Sequence, residues 1–208
     1  MARENGARTG RPTVEEAVAI EERLLRRVWQ LYVDGGFANV SYDAIAAAER
    51  MSKRTIYARY PSKDALFRGA VERRMQRWIS ENHLASDSRF EDPVQAFVEL
   101  SLAVLLTPDA LAMSRILREE DGRFADLAER VRYGLHIAVA RLAQLLMAKG
   151  MTGDTDAQDT ARSIVDLLMG CAMSTGPILN EKARSHYLDD QLPRIFKAVD
   201  RLVLTSRV

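Results

Sequence analysis

The sequence predicts an all-α protein in which several short helices precede a longer helical region. Apolar residues recur at three- to four-residue intervals along most of the chain, which is the period of a helix with one buried face. No segment alternates apolar and polar residues over the length of a strand. Capping residues, glycines and prolines separate the periodic segments and indicate where each helix begins or ends.

The composition excludes several classes of protein. The 208 residues are enough for a hydrophobic core, and the single cysteine, Cys171, rules out an intrachain disulfide and a cysteine-based metal cluster. Charged residues such as Arg3, Glu4 and Arg8 interrupt the N-terminal stretch where a secretory signal would be apolar. Because no apolar run approaches the roughly 18 residues of a membrane span, we expect a cytoplasmic protein with no membrane partner. We also expect no metal and no cofactor.

The first two helices are predicted from their caps. Thr13 and Glu16 form a capping-box pattern, in which each side chain satisfies a backbone N–H left open at the helix start. The first helix is predicted to end at Gly35-Gly36, because glycine adopts a left-handed conformation without a side-chain clash. Ser41 is the expected N-cap of the second helix.

Two short-range signals define the next pair of helices. Ser52 is a suitable N-cap for the third helix, which carries cationic and hydroxyl side chains. Pro61-Ser62 is expected to end that helix and to begin the fourth. The spacing therefore predicts two short helices joined by a tight turn, followed by a longer connecting helix.

Five further helices are predicted beyond residue 90. The Asp-Pro pair at 92–93 and the Thr-Pro pair at 107–108 are starting signals, since proline at the first helical position loses no hydrogen bond. A periodic segment runs from 124 to about 149 and is broken at 150–153. Asp154 opens the next helix, and the last helix carries a broad apolar stripe.

Basic residues are concentrated between Arg50 and Arg77, where nine lysines and arginines stand against two acidic residues. A stripe of this kind suits a polyanion, because each phosphate contact releases a counterion. The alternative is a solvated basic face of an ordinary helix. Arg8 and Arg11 lie in a segment without apolar periodicity, which is predicted to be a disordered arm over residues 1–13. Such an arm either enters a DNA minor groove or only solubilises the chain.

The chain from residue 14 to about 80 resembles the N-terminal DNA-binding region of the tetracycline-repressor (TetR) family of bacterial transcription regulators. The resemblance is carried by Ser-Lys-Arg-Thr-Ile-Tyr at 52–57, an aromatic residue at Tyr60, and Pro-Ser-Lys-Asp-Ala-Leu at 61–66. It implies an N-terminal helix-turn-helix domain over residues 14–62, whose third helix reads DNA.

The resemblance and the side-chain chemistry together define a candidate DNA-binding set: Ser52, Lys53, Arg54, Thr55, Tyr57, Arg59 and Lys63. Thr55, Tyr57 and Lys63 are expected to bind phosphates, Lys63 with help from a helix N-terminus. The candidates for base edges are Lys53, Arg54 and Arg59. Arg54 is the strongest of them, since a guanidinium can donate two hydrogen bonds to guanine.

Three neighbouring residues are assigned to the structure of the domain. Ile56 is expected to pack inward, and Tyr60 is expected to close the small core in preference to touching DNA. The family usually has glycine in the turn before the third helix, where this chain has Arg50. Arg50 is therefore predicted to adopt a left-handed backbone conformation, at a cost of about 1–2 kcal/mol.

Residues 63–208 are predicted to form a helical domain for effector binding and dimerisation. The resemblance implies a small-molecule pocket in this domain, for which the candidate residues are Phe97, Met113, Phe124, Tyr133, His136, Met147, Met169 and Met173. Apolar stripes on the last two helices suggest a dimer interface, whose candidate residues are Ile164, Leu168, Leu192, Ile195, Phe196 and Val199. Alternatively, both sets fill the core of their own subunit.

The expected function is that of a homodimeric transcription regulator, a repressor released from a near-palindromic DNA operator by a small apolar or amphipathic effector. The alternative is a DNA-binding scaffold of the same fold whose signal comes from a protein partner. An enzyme is not expected, because the chain has no nucleophile-elbow, metalloprotease or phosphate-loop motif. The histidines, His83, His136 and His186, are not at metal-ligand spacing.

Overall fold

The computed structural model describes residues 13–82, 89–118, 122–151, 153–178 and 180–205. Within these ranges the chain is all-helical, which confirms the predicted fold class. The helices are α1 (Val14–Asn39), α2 (Tyr42–Glu49), α3 (Lys53–Arg59), α4 (Lys63–Asn82), α5 (Pro93–Leu105), α6 (Pro108–Arg118), α7 (Ala125–Ala148), α8 (Asp154–Thr175) and α9 (Glu181–Thr205).

Helix α1 begins with the predicted capping box. The Glu16 amide donates to Thr13 Oγ1 at 3.2 Å, and the Thr13 amide donates to the Glu16 carboxylate at 2.9 Å. The helix is interrupted at Gly35-Gly36, where Gly36 has a φ of 73°. Both glycines have non-helical backbone angles, so the regular helix that begins at Val14 ends at this pair as predicted, and one short helical turn follows it within Val14–Asn39.

The turn between α2 and α3 has the predicted backbone conformation. Arg50 ends α2 with φ 52° and ψ 40°, and it is the one non-glycine residue with positive φ among the described residues. The amides of Arg50 and Met51 both donate to the carbonyl of Ala46. This left-handed residue lets the chain reverse direction tightly before Ser52 opens α3.

The N-terminal compact unit extends to Arg77, beyond the predicted domain boundary at residue 62. The first half of α4 contributes Phe67, which is fully buried and lies 4.6 Å from the ring of Tyr32 in α1. Val71, one turn further, is also fully buried. Because these side chains complete the core around α1, the boundary falls inside α4 and not before it.

The C-terminal unit, residues 78–208, contains α5 to α9. Helices α7 and α8, which the predicted break at 150–153 separates in the sequence, pack along each other. Helix α5 contacts both of them and α9. Arg89 forms ion pairs with Glu99 of α5 and with Asp189 of α9, at 2.7 and 2.6 Å. These contacts surround one apolar core shared by α5, α7, α8 and α9.

The predicted dimer-interface residues mostly belong to that core. Five of them are between 0% and 5% exposed in the single chain: Ile164, Leu168, Leu192, Ile195 and Val199. Phe196 is partly buried, with its ring packed edge-on against Phe90 at 5.0 Å. The assignment of the five buried residues to a dimer surface was therefore wrong, because they already contact neighbouring helices of their own chain.

Among the described residues no single helix is long and apolar enough to cross a membrane, and only α5 with α6, bent by 78°, meets the length and composition required when taken together.

Candidate nucleic-acid interface

Helix α3 presents one polar face to solvent and anchors the other in the N-terminal core. Ile56 is fully buried, as the sequence predicted. By contrast, the first three side chains of the helix, Lys53, Arg54 and Thr55, are exposed together with the cap residue Ser52. Since residues one or two positions away on a helix point in other directions, burial of Ile56 directs Arg54 and Thr55 outward.

The start of α3 is held by its own hydroxyl side chains. The amide of Thr55 donates to Ser52 Oγ at 3.1 Å, so Ser52 is the N-cap. The two hydroxyls also lie 2.8 Å apart and share a hydrogen bond. Both groups are exposed. They can therefore meet a phosphate oxygen only by sharing or exchanging a bond that already stabilises the helix start.

Lys53 is paired with an acidic residue that the sequence analysis did not single out. Its ammonium contacts the carboxylate of Asp43, near the start of α2, and the two side chains are 52% and 77% exposed. The hydrogen bond to Asp43 raises the pKa of Lys53 above its usual value. The charge of Lys53 is thus compensated locally until a stronger anion displaces the carboxylate.

Tyr57 stands next to another tyrosine that the sequence analysis passed over. Its ring is 48% exposed and stacks on the ring of Tyr42, with centroids 4.0 Å apart and planes 18° apart. The Tyr42 hydroxyl in turn donates to the carbonyl of Tyr60 at 2.9 Å. Helix propensity and spacing carry no signal for this contact, because it joins two helices through the geometry of the turn.

Arg59 differs from the other predicted base-contacting cations. It is partly buried, and its guanidinium lies 3.5 Å from the carbonyl of Ala17 in α1. This direction follows from its position three residues after Ile56, on the flank of the buried face. The assignment of Arg59 to base edges is therefore corrected: its guanidinium is directed toward α1, away from the face that carries Arg54.

Lys63 lies at the first residue of α4, as predicted. Its ammonium donates to the carbonyl of Ala38 at 3.4 Å and lies 4.2 Å from the centroid of the Phe37 ring. The side chain is therefore held near the end of α1 by a cation–π contact and a hydrogen bond. Both are weak enough for a phosphate to compete with them.

Tyr60 packs inside the N-terminal unit. Its hydroxyl donates to Glu21 at 2.7 Å, and burial together with this bond raises the pKa of Tyr60 far above its ordinary value. A Cβ at Gly69 would lie 3.0 Å from the Tyr60 ring, so the glycine permits this close approach. The ring borders a cleft of about 280 Å³ lined by Val18, Glu21, Glu22, Leu25, Tyr60, Gly69, Glu72, Arg73 and Gln76.

Part of the basic stripe is neutralised by acidic residues of the same unit. Arg73 of the stripe, in α4, contacts Glu22 in α1; outside the stripe, Arg27 of α1 lies 3.3 Å from Glu49. These pairs tie α1 to its neighbours. The positive potential at the surface is consequently smaller than the sequence count indicates, and Arg54 at the exposed end of α3 has a correspondingly larger part in it.

The predicted effector residues do not form one lining in the structure. Met113 and Phe124 are buried in the C-terminal unit, and Phe97 and Met169 are partly buried. The other four, Tyr133, His136, Met147 and Met173, are exposed. Their assignment to an enclosed pocket is therefore corrected, because helical spacing alone places them on outward faces of α7 and α8.

Two further expectations from the sequence concern the N-terminal arm and metal binding. Arg8 and Arg11, the candidate minor-groove arm, lie outside the described residues. In the part of the chain that the structure describes, no three histidine, cysteine or acidic side chains are placed to hold a metal ion. The candidate interface consists of the hydroxyl and cationic side chains of α3 and the start of α4, with Tyr42 and Asp43 of α2 beside them.

The two short helices α2 and α3, joined by the tight turn at Arg50, and the exposed polar face of α3 define a helix-turn-helix unit in an all-helical fold. The family model for bacterial regulatory proteins of the tetR family matches residues 24–70, which span α2, α3 and the adjoining parts of α1 and α4. Residues 24–70 therefore form a DNA-binding region of the tetR-family type.

Solved structures extend the likeness to the whole chain. A TetR-like transcriptional regulator from Rhodococcus sp. RHA1 is 20% identical, with a TM-score of 0.57 over 94% of this chain and 96% of that one. The flavonoid-responsive regulator FrrA is 27% identical, with a TM-score of 0.53 over 87% and 97%. A structure from Saccharomonospora viridis in complex with choline is 23% identical, with a TM-score of 0.59 over 85% and 96%. No curated protein sequence matches significantly.

Proposed function

We propose that this regulator is a homodimeric, cytoplasmic repressor that places α3 in the major groove of a near-palindromic operator. The observation that carries the proposal is the exposed polar face of α3 above the buried Ile56. A major groove about 12 Å wide admits one such helix. In this arrangement Arg54 contacts base edges, and Tyr57 and Lys63 bind phosphates, with Thr55 beside them.

Lys53 takes part in DNA binding only after its ion pair with Asp43 is exchanged. Its ammonium must leave Asp43, or carry that carboxylate with it, before it contacts a base or a phosphate. Exposed ion pairs of this kind contribute only about 0–1 kcal/mol. Exchange for DNA is therefore feasible, although it lowers the net gain from each contact of Lys53.

The dimer is proposed to form through outward faces of α8 and α9, since their inward faces are occupied. On α8 the outward face includes Gly170, where an added Cβ would meet nothing within 4 Å, and Met173, which is 44% exposed. A second helix could approach closely at such a glycine. Two copies of α3 would then have to match half-sites about 34–36 Å apart, or a multiple of that distance.

Matched glycine variants test this interface. Gly170→Glu should yield monomers by sedimentation while leaving the helical content unchanged. Gly134→Glu is the control, because Gly134 is also a helical glycine with nothing within 4 Å of an added Cβ. A monomer from Gly134→Glu and a dimer from Gly170→Glu would move the interface to α7 and refute the α8 assignment.

Release by a small apolar or amphipathic effector is proposed from kinship and from the choline complex of the Saccharomonospora viridis structure. An effector that prefers one subunit arrangement would lower DNA affinity by shifting the population away from the arrangement that fits the operator. The partly buried Phe97 and Met169 and the buried Met113 and Phe124 are the remaining candidates for contact with it.

One observation favours the second candidate function, regulation by a protein partner. Tyr133 and Ile137, one turn apart on α7, are 67% and 53% exposed. Exposed apolar side chains in neighbouring positions are typical of surfaces that bind proteins. Tyr133→Ser with Ile137→Ser should leave a small-molecule response intact, and it should abolish the response if a protein partner transmits the signal.

The DNA-binding proposal is tested with an operator obtained by selection from random duplexes. Tyr57→Ala should weaken binding to the operator and to random DNA alike, because a phosphate contact is lost. Lys63→Ala should do the same and should also flatten the salt dependence, because it removes a cation that neutralises a phosphate. Arg54→Ala should weaken operator binding more, by about 1–3 kcal/mol, and should relax the preference at one base pair per half-site. Equal losses on both duplexes for Arg54→Ala would remove its role in base recognition.

A further inference from the structure

Tyr42, the first residue of α2, makes two contacts with the recognition helix α3. Its hydroxyl donates to the carbonyl of Tyr60, the residue that ends α3, at 2.9 Å. Its ring stacks face to face on Tyr57, with centroids 4.0 Å apart. Tyr42 is itself partly buried. A single side chain therefore holds both the end of the helix and its exposed aromatic residue.

The hydrogen bond from Tyr42 to the Tyr60 carbonyl stabilises the end of a very short helix. Helix α3 has seven residues, and isolated helices of that length are unstable in water. The last carbonyls of any helix have no partner inside the helix, so an external donor stabilises the end. Burial, followed by the nearby Tyr57, raises the pKa of Tyr42, which keeps its hydroxyl protonated and able to donate.

The second contact restricts a side chain that would otherwise be mobile. Tyr57 is 48% exposed, and the buried residue beside it, Ile56, points the other way. Stacking on Tyr42 leaves one side of the Tyr57 ring covered and limits the directions of its hydroxyl. Fixing a flexible side chain before binding removes an entropic cost that would otherwise oppose complex formation.

We propose that Tyr42 is a positioning residue for DNA binding, which sets the orientation of the Tyr57 ring by stacking, while its bond to the Tyr60 carbonyl stabilises the C-terminal end of α3. The inference rests on the proposed function of Tyr57 as a phosphate-binding residue. It adds Tyr42 of α2 to the residues that determine DNA affinity, although Tyr42 acts only through Tyr57 of α3.

The test compares Tyr42→Leu with Tyr42→Phe in the full chain, measured on the selected operator duplex and on a random duplex. Tyr42→Leu should weaken both complexes by about 2- to 10-fold, the range expected for one side chain that must be ordered on binding. Tyr42→Phe keeps the stacked ring and should restore affinity to within about twofold, while it lowers thermal stability through the lost bond to Tyr60.

Coupling to Tyr57 separates positioning from a general loss of structure. In a Tyr57→Ala background, Tyr42→Leu should cause no further loss of affinity, because the side chain on which it acts is gone. Equal losses with and without Tyr57 would overturn the proposal, as would wild-type affinity for Tyr42→Leu. If Tyr42→Leu does not fold, Tyr42→Met, which has an unbranched side chain, replaces it in the same comparison.

Two outcomes distinguish this inference from the proposed function. Wild-type binding by Tyr57→Ala would remove the phosphate contact on which the inference depends. A loss for Tyr57→Ala with none for Tyr42→Leu would leave the phosphate contact standing and would reject only the positioning role. Gln144→Ala, which alters an exposed side chain of α7 in the other unit, is the control and should bind both duplexes as the parent chain does.

Discussion

Replacement of Arg50 by glycine is expected to stabilise the N-terminal unit. Arg50 is exposed and has φ 52° and ψ 40°, the left-handed conformation that disfavours any residue with a Cβ. The cost of that conformation is about 1–2 kcal/mol. Glycine removes it but increases the freedom of the unfolded chain, which offsets about 0.4–1 kcal/mol. The net gain is therefore about 0.5–1 kcal/mol near the middle of these ranges.

Thermal unfolding measures this gain against a matched variant. For a chain of this size about 1 kcal/mol corresponds to about 2–4 °C, so Arg50→Gly should raise the Tm by about 1–4 °C. Arg50→Ala loses the same guanidinium but keeps the Cβ, and it should show no such increase. The charge effect on DNA binding should be equal in the two variants.

The sign of the difference decides the outcome. A Tm for Arg50→Gly equal to or below that of Arg50→Ala would mean that the turn stores no strain at this position. The assumption that a Cβ is costly in the turn before α3 would then be refuted. Weaker DNA binding by both variants to the same extent would only report the lost positive charge.

Three further predictions concern ion pairs and burial. Asp92 caps α5 and contacts Lys149; burial opposes its ionisation, but the lysine and two backbone amides outweigh burial and lower its pKa. The stability contributed by Asp92 should be present above the unfolded pKa near 3.9 and should be lost as the pH falls through the lower folded pKa. The free energy of unfolding of Asp92→Ala should therefore fall less steeply with decreasing pH than that of the parent chain. Asp43→Asn should release Lys53 and steepen the salt dependence of binding to random DNA by about 0.9 in slope, measured by titration at several salt concentrations; an unchanged slope would mean that the pair does not restrain Lys53. Ile164→Ala should lower unfolding stability by about 2–5 kcal/mol with no change in oligomeric state, and a folded monomer would instead return Ile164 to a dimer surface.

Local signals predicted where the helices begin. The side chains of Thr13, Ser41, Ser52 and Asp92 each accept a hydrogen bond from a backbone amide in the first turn of the following helix. These contacts join residues two or three positions apart, so the sequence alone contains both partners. The left-handed conformation of Arg50 was predicted on a different basis, from the glycine that the TetR family usually has in this turn, and the structure has it.

Contacts between distant helices could not be predicted in the same way. The apolar stripe that includes Ile164 and Leu192 shows that one face of each helix avoids water, but not which surface covers it. In the structure α5 and α7 cover much of that face, so the chain buries its own stripe. The Tyr42–Tyr57 stack and the Asp43–Lys53 pair depend likewise on how the turn sets α2 against α3.

The cationic side chains of α3 differ in exposure and in their existing contacts, so their expected contributions to DNA binding differ as well. Arg59 is directed toward Ala17, and Lys53 is compensated by Asp43, whereas Arg54 lies exposed between the cap and the buried Ile56. A cation that must first leave a partner gains less from DNA than one already directed to solvent, because the broken contact is subtracted from the new one. Under the proposed function, base preference should therefore depend on Arg54 more than on the total positive charge of the segment. The charge count that first indicated a polyanion is a poor guide to which residue reads the sequence.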